Sequence, residues 1–187
     1  MIMETQLSLI NLSEQPARAT QSSAKKANSS SAPQHLAIYI DGAARGNPGP
    51  AGAGICMILD DQKIVEKGFY LKEKTNNQAE YLALVLALLL LEKVFEKHDL
   101  ADTHCTFFSD SELLVKQMRG EYKIKNAALA ALKKLADELA RTYTHRFTHV
   151  TRDKNKIADK LANLGIDKKN RIPVTLTKIL DHWGLSI

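Results

Sequence analysis

Only two cysteines, Cys56 and Cys105, and one tryptophan, Trp183, occur in this chain of 187 residues. Two cysteines, each inside an apolar strand-like run, cannot build the cross-linked framework of a small secreted domain. They read as buried small hydrophobes of a reducing compartment. Long hydrophobic runs are missing too. The longest, Tyr81 to Leu91, is about half of the ~20 residues a membrane span needs, so it reads as a core helix. The N-terminus has no basic segment ahead of an apolar one and carries Glu4, unlike a secretory leader. These absences predict a cytoplasmic protein with no membrane segment. Gly49-Pro-Ala-Gly-Ala-Gly54 superficially resembles a dinucleotide fingerprint. It precedes a strand rather than opening a helix and has no Lys-Ser/Thr of a phosphate loop, which argues against nucleotide cradling.

What is present suits one ordinary domain with some tail. Apolar residues make up 44% and charged residues 25% of the chain, the balance of a soluble globular protein. The net charge of +5 fits a polyanionic partner without establishing one. Residues 1–34 read as a flexible tail. Leu7, Leu9, Ile10 and Leu12 suit one short docking element, but Gln15 to Gln34 lacks the large apolar residues that would offset its ordering entropy.

The domain, residues 35–170, is organised around Leu36-Ala-Ile-Tyr-Ile-Asp41. Leu36, Ile38 and Ile40 alternate with Ala37 and Tyr39, so the segment predicts a buried strand that ends in the carboxylate of Asp41. Gly42, Gly46, Asn47, Pro48 and Gly49 follow as a permissive loop. Strands are expected over Ala51–Leu59 and Lys63–Leu71, joined by a turn at Asp60-Asp61. The main helix is predicted from about Asn77 to Lys97, opened by a capping box of Thr75 with Gln78 or of Asn77 with Glu80. Its middle is apolar nearly all round, which suits a place between a sheet and other helices. A strand His104–Phe108, a helix to about Arg119, a helix Ala127–Thr142 and a strand Thr144–Val150 come next. A last core helix spans about Asn155–Ile166, with Ile157, Leu161 and Leu164 expected on its inner face. The order βββαβααβα predicts an α/β fold, a five-stranded mixed sheet with helices on both faces. In the C-terminal segment, 171–187, Leu176, Ile179, Leu180 and Trp183 share one helical face, between a cap at Thr175 and a stop at Gly184, and predict a short docked helix.

Four acids stand out by position: Asp41 at a strand end, Glu80 in a first helical turn, Asp110 after the fourth strand and Asp159 in the last core helix. Oxygen ligands from several carboxylates suit a hard divalent cation. Each acid also has a plainer reading: Glu80 and Asp110 as helix caps, Asp159 as a solvated helix charge. Asp41 resists such a reading, since an acid on a buried strand needs partners.

The motifs Ile40-Asp-Gly-Ala-Ala-Arg-Gly-Asn-Pro-Gly49, Thr75-Asn-Asn-Gln-Ala-Glu-Tyr81, Phe108-Ser-Asp-Ser111 and Val150-Thr-Arg-Asp-Lys-Asn-Lys-Ile-Ala-Asp159 occur in one order over residues 36–166. In this the sequence resembles ribonuclease H of type 1. The resemblance implies a ribonuclease H-like fold and hydrolysis of the RNA strand of RNA/DNA hybrids to 5′-phosphate and 3′-hydroxyl ends. It implies two Mg²⁺ ions, with Mn²⁺ as a substitute, held by Asp41, Glu80, Asp110 and Asp159. One ion would activate water and the other would steady the leaving oxygen. It implies substrate contacts from Arg45, Gly46, Asn47, Asn76 and Asn77, with Lys123, Lys125 and Asn126 gripping a DNA-strand phosphate.

Two features depart from the commonest pattern. Arg152 takes the place of a loop histidine, as in one branch of the family, while His149 is expected to pack on its strand. The stretch Met118–Asn126 is short where the better-known form has a basic, tryptophan-rich protrusion, which leaves double-stranded RNA open as a second substrate. A non-catalytic hybrid-binding module is disfavoured by the presence of all four acids, and a transposase or junction resolvase by Asn76-Asn77-Gln78. The protein is expected to be monomeric.

Overall fold

The structure, a computed structural model, describes residues 34–98, 100, 103–185 and 187. The tail predicted for residues 1–34 therefore lies almost wholly outside the described residues. The strands are β1 (His35–Ala44), β2 (Gly49–Leu59), β3 (Gln62–Lys74), β4 (His104–Ser109) and β5 (His145–His149). The helices are α1 (Asn76–His98), α2 (Glu112–Met118), α3 (Ala127–Ala140), α4 (Lys156–Lys168) and α5 (Val174–His182), with a short 3-10 turn at Arg152–Lys154.

The five strands form one mixed sheet in the order β3-β2-β1-β4-β5. β1 to β3 are antiparallel neighbours, and β4 and β5 add to β1 in parallel. The hairpin between β2 and β3 turns at Asp60 and Asp61, whose φ values of 47° and 63° are those of a turn matched to strand twist. β1 does not stop at Asp41, as the apolar run suggests. Its pairing with β2 continues through Ala44 opposite Ala51, and Asp41 lies opposite Gly54. Small residues on both strands let the ladder run on where bulk ends.

Successive strand residues alternate between faces, and the two faces are covered differently. On one, Leu36, Ile38, Ile40, Ala53, Ile55 and Met57 are buried in the main core with α1, whose residues from Ala79 to Leu89 are all buried. Each large aliphatic there contributes about 1.5–3 kcal/mol. α3 packs on the outside of α1 through Leu129, Leu132, Leu135 and Ala136. α1 is thus enclosed, which explains its all-round apolar middle. On the other face α4 lies across β1, β2 and β3.

The inner face of α4 differs from expectation. Ile157 and Leu164 are exposed, at 38% and 39%, while Ala158, Ala162, Gly165 and Ile166 are buried. The reason is the sheet beneath. A side chain at Gly52 or Gly54 would collide with the backbone of Ala162 or Ala158, and one at Gly68 with that of Leu161. Helix and sheet backbones touch directly along Ala158–Gly165, where small residues fit between them, and Ile166 enters over Gly52. α5 begins at Val174 with Pro173 as its cap rather than Thr175, because proline's fixed φ suits a helix entry. Leu176 and Leu180 are buried in the main core, and Ile179 and Trp183 pack against it.

Candidate metal centre and nucleic-acid face

Three of the four predicted acids converge. One carboxylate oxygen from each of Asp41, Glu80 and Asp110 lies within 4.8 Å of the others. The local chain explains each placement. Asp41 points to the α4 face of β1, since its opposite partner Gly54 meets α4 there. Glu80 arrives because Gly42 has no side chain, so the first turn of α1 rests on β1 at Ala79 and Glu80. The Gly42 amide then donates to Glu80 Oε2 at 3.2 Å. The turn itself is set by a reciprocal capping box, in which the Gln78 amide donates to Thr75 Oγ1 and the Thr75 amide to Gln78 Oε1. Asp110 follows β4, the parallel neighbour of β1, and is partly exposed.

Asp41 and Glu80 are each only 6% exposed. Burial, and then the charges of Asp110 and Asp159, push the Asp41 carboxyl up to about 7. Burial, then Asp41 and Asp110, hold Glu80 well above the usual carboxylate range, against the lowering effect of the Gly42 amide. Three acids share one space, and the nearby Arg152 offsets their repulsion only in part, so the group keeps an affinity for positive charge. An all-oxygen donor set of this kind fits a hard divalent ion.

Asp159 stands beside the trio rather than within its 4.8 Å grouping. It is close enough to act on Asp41, and its Oδ1 accepts from Arg152 at 2.9 Å. The Arg152 side chain is 80% exposed, a charged group at the open edge of the site. His149 does not pack on its strand. It is exposed at the end of β5, with Nε2 3.3 Å from the Asp110 carbonyl oxygen.

The flanking residues divide into two groups. Arg45 pairs with Asp167 of α4 at 2.6 Å, and Asn47 Oδ1 accepts from the Asn76 amide at 3.0 Å. Gly46, with φ of 108°, permits the bend between them. The loop 45–48 is thereby tied to both α4 and α1, next to the acids, and Asn76 and Asn77 are exposed beside it. Lys123 and Lys125 belong to the separate connection between α2 and α3 and are exposed. Asn126 Oδ1 is engaged as the cap of α3, accepting from Leu129 at 3.1 Å.

The sequence description of the RNase H family matches residues 33–167. This chain belongs to the ribonuclease H family. It is 38% identical over 131 residues to ribonuclease HI of Halobacterium salinarum, a match covering 69% of this chain and 63% of that protein. A ribonuclease H of Pseudomonas entomophila is 33% identical over 140 residues, covering 70% of this chain and 93% of the relative. Among solved structures, LC11-RNase H1 in complex with an RNA/DNA hybrid is 40% identical with a TM-score of 0.67, covering 71% of this chain and 97% of that one. The RNase H1 of Halobacterium salinarum is 34% identical with a TM-score of 0.64, covering 72% and 98%. The five-stranded sheet and its helices are those of a ribonuclease H-like fold, and ribonuclease H enzymes work with divalent metal ions.

Reading the sequence overlooked the small residues that seat α4, and with it Asp167, the anchor of Arg45. It also took Asn155 only as a helix start. A glycine at every second position, Gly52 and Gly54, was the available signal for a close backbone approach.

Proposed function

We propose that this ribonuclease H family member is a metal-dependent endoribonuclease that hydrolyses the RNA strand of RNA/DNA hybrids, leaving 5′-phosphate and 3′-hydroxyl ends. The observation that carries the reading is the meeting of Asp41, Glu80 and Asp110 within 4.8 Å in a chain of this family. The hybrid bound by LC11-RNase H1 supports the substrate class. In this reading Asp41, Glu80, Asp110 and Asp159 are the metal ligands, with Mg²⁺ as the ion and Mn²⁺ able to replace it. Two bound ions would supply an activated water and a stabilised leaving oxygen.

The side chains themselves gather charge, hold it out of bulk water and orient the substrate. Asp41 and Glu80 sit in a low-dielectric site, where their attraction for a cation is strengthened. Arg152 stays charged at any working pH, so it serves to position phosphate or release product rather than to carry protons. The braced loop of Arg45, Gly46 and Asn47, with Asn76 and Asn77, faces the sugars, and the 2′-hydroxyl is the group that separates RNA from DNA there. Lys123, Lys125 and Asn126 take a phosphate of the DNA strand. We assign the tail to residues 1–34, the catalytic domain to 35–170 and a docked segment to 171–187, in a cytoplasmic monomer.

One observation favours a second substrate. α2 ends at Met118 and α3 begins at Ala127, so the connection has little room for a basic protrusion, and contact with the DNA strand rests on few cations. Cleavage of double-stranded RNA follows as an additional activity. The test is cleavage of end-labelled RNA/DNA hybrid, double-stranded RNA and DNA duplex, with Mg²⁺ and with a chelator. Cutting of the hybrid's RNA strand that needs the metal is expected. A folded protein that leaves the hybrid intact in both Mg²⁺ and Mn²⁺ would overturn the reading.

A further inference from the structure

Asn155 occupies the cap position of α4, where asparagine is favoured because its side-chain oxygen accepts a hydrogen bond from the first helical turn. Here it makes no such bond. The residue is completely buried, and both hydrogens of its Nδ2 are committed elsewhere. One goes to the carbonyl oxygen of Ile40 at 2.9 Å and the other to Asp110 Oδ1 at 2.7 Å. Its own Oδ1 is sealed from solvent without a hydrogen-bond partner, although capping would have supplied one. Reversing the amide does not help, because its oxygen would then face a carbonyl and a carboxylate, neither of which donates. A buried acceptor left alone costs stability. That cost is borne by a side chain aimed at Asp110.

We propose that Asn155 is a positioning residue that clamps the Asp110 carboxylate at a set distance from the strand carrying Asp41. The proposal rests on the metal-dependent nuclease reading given above. Ile40 immediately precedes Asp41, so the two N–H bonds of one planar amide gauge the gap between β1 and Asp110. Like charges drive Asp41, Glu80 and Asp110 apart, and something must hold them in register until a cation arrives. A lysine or arginine at this position would hold Asp110 by neutralising it and would compete with the metal. A neutral amide restrains the carboxylate and leaves its charge available. The same side chain links α4 to the centre, so the placement of Asp159 one turn later depends on it.

The substitution Asn155→Asp separates this role from a structural one. Aspartate has nearly the same size and an oxygen able to cap the helix; a merely structural role would show as lost stability, with the folded protein keeping its metal affinity and turnover. As a clamp it fails, since carboxylate oxygens replace the donors facing Ile40 and Asp110. Loss of a partner that orients a metal ligand typically costs about 10–100-fold in metal affinity or activity. Mg²⁺ affinity, measured by calorimetry on the full chain without nucleic acid, should therefore fall at least about tenfold. On the hybrid, kcat should fall by about 100-fold with KM nearly unchanged, because the sugar and phosphate contacts lie elsewhere.

Asn155→Ser, which retains one donor, should fall between, and it reads the same split if the aspartate variant does not fold. In the unmutated protein, a ¹⁵N-edited spectrum should show both Asn155 side-chain protons protected from exchange and shifted on addition of Mg²⁺. A folded Asn155→Asp protein with parental or tighter Mg²⁺ binding and parental kcat overturns the proposal, as does a side-chain amide that Mg²⁺ leaves unmoved. If the unmutated protein neither binds Mg²⁺ nor cuts hybrid, the nuclease reading fails instead.

Discussion

The two faces of the sheet are held by opposite kinds of packing. Under α1 the contact is made by large aliphatics, Leu36, Ile38, Ile40, Ile55 and Met57 among them. Under α4 it is made by Gly52, Gly54, Gly68, Ala158, Ala162 and Gly165, with backbone against backbone. Bulky side chains bury much apolar area and can repack around a small change. Backbone contact buries less, but its distance has almost no freedom. Stability is concentrated on the first face. Position is set on the second, where Asn155 at the start of α4 bonds both the β1 backbone at Ile40 and Asp110. The acids lie where the face under α4 meets the first turn of α1, so the two packings have different consequences when disturbed.

The sharpest contrast is between a proposed metal ligand and a core residue. Asp110→Asn should lower Mg²⁺-dependent turnover by roughly 10³-fold or more, worth about 4 kcal/mol of transition-state stabilisation. Its melting temperature should not fall, since one of three crowded charges is removed. Near-normal turnover would take Asp110 out of the centre.

Gly54→Ala tests the seam itself. Its new methyl group would meet the carbonyl of Ala158, an atom that cannot swing aside, so a cost of about 3 kcal/mol or more is expected, at the upper end for overpacking. Leu86→Ala on the other face should cost a similar amount, about 2–5 kcal/mol. The two should part company in activity at low temperature. The folded Leu86→Ala protein should keep its turnover, whereas Gly54→Ala should lose it as α4 shifts. Equal turnover in both would erase the distinction between the faces.

Arg152→Ala should slow turnover by about 10–100-fold with little change in stability, because its side chain is mostly in solvent. His149→Ala, next to the Asp110 carbonyl but exposed, should change stability by no more than about 0.5 kcal/mol, as surface substitutions do. Kinetics of the two variants side by side decide whether Arg152 or His149 holds the functional place at the edge of the centre.

A further effect is expected on stability against pH without metal. The Asp41 carboxyl rises from 3.8 to about 7 in the folded chain, so between those values the folded state holds a proton that the unfolded chain has released. Stability is therefore fullest below about pH 4, declines as pH rises through the window and levels off above about 7. Asp41→Asn should flatten that slope. In chelator at pH 8 it should raise the melting temperature, because a neutral amide replaces a buried charge crowded by other acids. Thermal melts across pH 4–8 check both; a slope unchanged by the substitution would show that Asp41 is not the group under strain.

Much of this was legible in the residues. Period-2 alternation in Leu36–Ile40, the all-round apolar Tyr81–Leu91 and the Asp60-Asp61 turn are local patterns, set by side-chain geometry over a few residues. They sufficed for the five strands, the enclosed helix and the βββαβααβα order. Four motifs in sequence drew attention to Asp41, Glu80, Asp110 and Asp159. What local pattern misjudged was α4. Ile157, Leu161 and Leu164 look like an inner stripe because hydrophobicity usually marks the buried side. Here the opposing glycines leave no depth for large side chains, and alanine takes the inner face. That outcome depends on residues about a hundred positions away, and no periodicity within α4 carries it. Asn155 is similar: its type and place spell a helix cap, and only the arrival of Ile40 on β1 and of Asp110 just after β4 turns its amide away from the helix. Composition and periodicity determined which elements form and in what order, because those are contests between neighbours. The spacing of the acids was decided by contact between distant backbones, because charges that repel come together only where packing leaves them no other place.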